Sequence, residues 1–219
     1  TFTVDSVEYM HERPIATQQT GFTFVAQMRG WLPDYTGGIL WFGVDDAASN
    51  VYVPVYCCTN KVPQCFDEKN GSLLQYSPTS AFWTFNAVAN FAYGKYSYLM
   101  SDIRKLQSEL EHGFQQMTPA VDAKALALGE TAGRKYLTDY SNQAAERTTS
   151  EWKKLGEYLL VKYMDGNIKK EENGKFLQNE HGIPPGIIRA GYPTEFQRKI
   201  AKENPGLRVK SAEEIKNRK

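Results

Sequence analysis

From Gly21 to Leu32 the chain alternates, with Phe22, Phe24, Ala26 and Met28 on one side and Thr23, Val25, Gln27 and Arg29 on the other. A period of two is the signature of a strand with two unlike faces. Gly38 to Val44 (GILWFGV) and Val51 to Tyr56 (VYVPVY) follow, apolar and rich in β-branched and aromatic residues. The run Asp45-Asp46-Ala47-Ala48-Ser49-Asn50 between them supplies the short polar side chains that turns use, so the two segments predict a hairpin. Phe2 to Val7 also alternates and suits a strand.

Near Tyr76 the period changes to that of a helix. Ser80 to Met117 contains no proline, and Phe82, Phe85, Val88, Ala89, Ala92, Tyr96, Leu99, Met100, Ile103, Leu106 and Leu110 fall at helical spacing. This predicts one long helix, or two in line with Gly94 as the weak point. The aromatic residues Trp83, Phe85, Tyr93, Tyr96 and Tyr98 belong by default to its buried side. Thr118-Pro119 has the form of a helix start with proline in the first turn, predicting a second helix to about Gln143. Thr148 with Glu151 three residues on is a capping box, predicting a third over Glu151 to Met164. Strands over about 1–75 followed by helices over about 80–165 define an α+β class. Beyond residue 165 the chain is polar and punctuated by glycine and proline, with a short amphipathic helix expected at Ser211 to Lys219.

A chain of 219 residues can bury a substantial core. Its 26 basic and 25 acidic residues leave a net charge of +1, no field for nucleic acid or an anionic membrane. No apolar run reaches the length of a transmembrane helix. The three cysteines, Cys57, Cys58 and Cys65, lack a fourth ligand at suitable spacing, and His11, His112 and His181 are scattered, which argues against zinc. No cofactor is expected. A disulfide between Cys65 and either Cys57 or Cys58 is geometrically open, and it would point to an oxidising compartment.

The ordered series T-Q-Q-T-G-F-x-F-V-A-Q-M-R, a W-L-P turn, G-G-x-L-W-F-G-x-D-D, V-Y-x-P-x-Y-C and V-P-x-C resembles the C-terminal half of the C69 family of dipeptidases. More distantly it is similar to the secernins and penicillin V acylases. The resemblance continues through Trp83, Tyr93 and Tyr96 to Trp152-Lys153-Lys154-Leu155-Gly156, covering roughly residues 9–165 and leaving 166–219 as an extension. It implies an N-terminal nucleophile hydrolase with an αββα sandwich, present here in part, in which a cysteine at the mature N-terminus cleaves dipeptides. This chain opens Thr1-Phe2-Thr3 and has no cysteine before Cys57, so the nucleophile is expected upstream and the 219 residues alone are expected to be inactive. The resemblance places the family's cysteine directly after the tyrosine, here Tyr56, which favours Cys57 over Cys58 as the partner of Cys65.

A dipeptidase must recognise the charged ends of its substrate, and a guanidinium fork suits a carboxylate. Arg29 is the candidate for that role or for tuning the nucleophile, against the alternative of a surface or sheet-edge arginine. Gln18 and Gln27 are candidate donors to a substrate amide or an oxyanion, or partners of neighbouring backbone. His11, beside Glu12, is a candidate base or a structural residue. Two other readings stand beside the dipeptidase: a secernin-like protein acting by binding, and an autocleaved hydrolase with Thr1 as nucleophile. A homo-oligomer is expected from uncovered strand edges, an extracytoplasmic setting from the possible disulfide, and a bacterial source is expected beside it.

Overall fold

Three of the predicted strands form one antiparallel sheet in the order β3 (Phe22–Met28), β4 (Gly38–Val44), β5 (Val53–Tyr56). The computed structural model describes residues 1–10, 12, 14–189, 191–209 and 211, and it divides the chain into two units, 1–160 and 161–219. The first unit has the α+β character expected, strands before helices. Its first two strands are a small hairpin, β1 (Phe2–Val4) and β2 (Val7–Tyr9). The single alternating segment Phe2 to Val7 is thus interrupted at Asp5 and Ser6, whose φ angles of 49° and 65° turn the chain back.

Cross-strand pairs assign each residue of the sheet to a face. Phe24 pairs with Phe42 and Phe42 with Val53, whereas Gln27 pairs with Ile39 and Ile39 with Tyr56. The Ile39 and Tyr56 face is closed by the long helical element α3 (Tyr96–Tyr163), where Tyr35, Ile39 and Tyr56 form a buried cluster with Val121, Ala125 and Leu137. The Phe24 face is closed at Val44 and Val53, which are buried, and open along β3. Phe22, Phe24 and Met28 are 59%, 55% and 73% exposed, the reverse of what such side chains do inside a finished core.

α2 (Ala81–Tyr93) precedes α3, and the chain breaks helix between them at Gly94, as the sequence predicts. Phe85 of α2 stacks on Trp152 with ring centroids 4.8 Å apart, both residues buried. Tyr96 and Tyr98, expected in the core, are 39% and 44% exposed.

The predicted starts at Thr118-Pro119 and Thr148 are not helix starts. Pro119 lies inside α3, and the Thr118 hydroxyl donates to the Phe114 carbonyl at 2.8 Å. The break falls instead at Gly129, with φ 75° and ψ 169°, a region open in practice to glycine alone. A Cβ on Gly133 would stand 2.6 Å from the Ala125 carbonyl oxygen. Eight residues of straight helix would separate these positions by about 12 Å, so the chain folds back at Gly129 and the two halves of α3 pack as a helical hairpin.

The second unit carries two short antiparallel pairings, β6 (Asn167–Ile168) with β9 (Ile188–Arg189) and, between them in sequence, the hairpin of β7 (Glu171–Glu172) with β8 (Lys175–Phe176). Asn173 and Gly174, at φ 50° and 74°, make the tight turn of the latter. α4 (Thr194–Glu203) begins after Pro193 and spaces Phe196 and Ile200 one turn apart, a helix the glycine and proline punctuation obscures. Apart from Ser211, the helix expected at Ser211 to Lys219 lies outside the described residues.

Candidate functional site

Arg29 sits at the end of β3, where the chain turns through Trp31-Leu32-Pro33 into the four-residue helix α1 (Asp34–Gly37). Its guanidinium is buried. Nη1 and Nη2 donate to the two carboxylate oxygens of Asp122 on α3, Nη2 also to the Thr36 carbonyl, and Nε to the Gly37 carbonyl at 3.4 Å. The Tyr56 hydroxyl donates to the same carboxylate at 2.7 Å, and burial together with that bond pushes the phenol pKa up. The fork expected for a substrate carboxylate is therefore filled by a carboxylate of the protein itself. Arg29 is neither a surface nor a free sheet-edge residue: it is the pin that joins β3, the β3–β4 turn and α3.

A second polar group gathers at the β4–β5 loop. Asp45 and Asp46 make turn interactions, as their residue types predict, with Asp46 accepting from the Ala48 amide at 3.1 Å. Both are also buried, which the sequence did not signal. Asn86 of α2 donates to Asp45 Oδ1 at 2.9 Å, and the Tyr93 hydroxyl donates to Asp46 Oδ2 at 3.0 Å. Asn50 Nδ2 donates to the Thr23 hydroxyl, while Gln107 of α3 donates to the Asn50 carbonyl. A Cβ at Gly43 would lie 2.4 Å from Asn50 Nδ2, so only glycine leaves room for the amide there. Asp45 Oδ2 and Asn50 Oδ1 are buried without a hydrogen-bond partner among the described residues. Burial raises the Asp45 pKa, a rise opposed by the hydrogen bond from Asn86.

On the Phe24 face, at the Phe22 and Val44 end, lies a cavity of about 270 Å³. Phe22 stacks on Phe42 at 5.8 Å and Phe42 meets Phe66 edge-on at 5.3 Å, giving it an aromatic floor. Asp67 and Glu68 stand at its exposed rim, and Cys65 lines its buried side.

All three cysteines are free thiols, and the bridge expected between Cys57 and Cys65 is not formed. Cys57 is exposed after β5, its sulfur against Gly38, whereas Cys65 is buried beside Glu146 and Thr149. The two side chains thus lodge against different elements. Burial pushes the Cys65 thiol up to about 12, which keeps it protonated and unreactive. Among the described residues, no group of three or more His, Cys, Asp and Glu side chains is placed to hold a metal ion.

The remaining candidates do not converge. Gln27 is exposed on β3, and its Oε1 accepts from Trp41 Nε1 at 2.9 Å. Gln18 is exposed in the turn from Thr17 to Thr20 and is not a strand residue. His11 lies outside the described residues. Among the described residues no helix is long and apolar enough to cross a membrane. Residues 3–109, which span the sheet, the aromatic cavity and all of α2, match peptidase family C69. No curated protein matches the chain.

Proposed function

Because this chain belongs to peptidase family C69 through residues 3–109, we propose that it supplies the helix-backed sheet of a cysteine-nucleophile dipeptidase. The nucleophile is a cysteine at the start of a longer polypeptide. In that chemistry the terminal amine or a neighbouring group takes the thiol proton, the thiolate attacks the peptide carbonyl, and nearby donors hold the oxyanion. None of the cysteines here can play that part, since each has its amine in a peptide bond.

The observation that carries the reading is the exposure of the edge strand β3 on both of its sides, Val25 on one and Phe22, Phe24 and Met28 on the other. α3 covers Ile39 and Tyr56, while Phe22, Phe24 and Met28 face outward. Further strands paired along the β3 edge would extend the sheet toward the layered sandwich the family resemblance implies. Left uncovered, the β3 edge favours self-association, which light scattering on a sizing column reads directly. Intact-mass analysis of the natural protein tests the reading. A single chain that begins with cysteine and continues through these residues agrees with it; a cut immediately before Thr1 overturns it and makes Thr1 the nucleophile.

A further inference from the structure

We propose that the cavity beside Phe42 receives the first residue of a peptide substrate, its apolar side chain on the aromatic floor and its free ammonium at Asp67 and Glu68. The identity of the ligand as a peptide rests on the peptidase reading above; the preference for a cationic amphiphile does not. At about 270 Å³ the cavity falls just below the range of sites that enclose drug-sized ligands, so it suits one residue and not an extended peptide. Phe22, Phe42 and Phe66 present ring faces and edges held by their mutual contacts at 5.8 Å and 5.3 Å. Such rings accept an apolar side chain and attract a nearby cation.

The charge at the mouth has one sign. Among the described residues none that lines the cavity is basic, while Asp67 and Glu68 both do. A substrate carboxylate placed there would meet two like charges, whereas an ammonium meets two opposite ones. The carboxylate end of the substrate must therefore point away from the cavity. Arg29, engaged by Asp122, does not take it.

The test is a fluorine NMR titration of the full 219-residue chain with 4-fluorophenethylamine and, separately, 4-fluorophenylacetate. The amine is expected to give a saturable shift and to bind at least about threefold tighter than the acid, as exposed ion pairs allow. Asp67→Asn combined with Glu68→Gln changes only exposed side chains and should remove that preference, while Phe66→Ala should weaken both probes. Equal binding of amine and acid, binding of neither, or a preference that survives the double substitution overturns the proposal. If the amine preference holds and dipeptide hydrolysis is never found, the cavity stands and the peptidase reading falls; the converse result separates them the other way.

Discussion

Arg29 and Asp122, 93 residues apart in sequence, meet in a buried two-pronged ion pair that fastens the end of β3 to α3. Removing either partner strands a buried charge, and Asp122→Ala also takes the acceptor from Tyr56. Each single alanine substitution is expected to cost about 3–5 kcal/mol in urea unfolding. The double substitution should cost less than the sum, because the second removal leaves no unpaired charge. A loss below about 1 kcal/mol for Arg29→Ala would show the pair to be solvated.

Gly129 makes the corner of the α3 hairpin at φ 75° and ψ 169°. Gly129→Ala is expected to destabilise the fold by about 1–3 kcal/mol. Gly113 is the control, since it lies within α3 with nothing inside 4 Å of a Cβ placed there. Gly113→Ala should stabilise by about 0.5–1 kcal/mol through helix propensity. Equal effects from the two substitutions would remove Gly129 from its role.

Burial raises the pKa of Asp45 above its ordinary 3.8, so the folded state holds that proton more tightly than the unfolded state does. Stability from this group is therefore fully present below 3.8 and is lost as pH climbs through the raised value. Asp45→Asn keeps the acceptor for Asn86 and tolerates φ 69°. It should stabilise the protein at pH 7, and the gain should shrink toward pH 4. Destabilisation at pH 7 with no trend would mean the carboxylate is well satisfied as an ion.

Thiol counting under denaturing, non-reducing conditions is expected to find three free cysteines. In the native state exposed Cys57 should react first with a thiol reagent and Cys65 last, in line with its pKa of about 12. A count of one would instead establish a bridge and, with it, the oxidising compartment that only a bridge suggests.

The sheet was legible because β3 alternates and β4 and β5 are short runs of β-branched and aromatic residues, and the β4–β5 hairpin because its turn residues are of the types turns require. Gly94 was legible as a helix weak point for the same local reason. Pro119 misled, since Thr-Pro looks alike at a helix start and inside a helix whose threonine bonds back to the preceding turn. Gly129 gave no comparable signal within its alanine-rich surroundings. Arg29 was read as a fork for a substrate carboxylate, whereas the carboxylate it meets is Asp122, brought in by packing between β3 and α3, which no local pattern encodes. The burial of Asp45 and Asp46 depends likewise on Asn86 and Tyr93, brought in by α2.

Hydrolysis of a dipeptide panel, run side by side on these 219 residues and on a longer polypeptide that opens with cysteine, bears most directly on the proposed division between scaffold and nucleophile. The longer polypeptide should turn over dipeptides, its cysteine-to-alanine variant should not, and the 219-residue chain should be inactive. Turnover by the 219-residue chain alone would contradict the account.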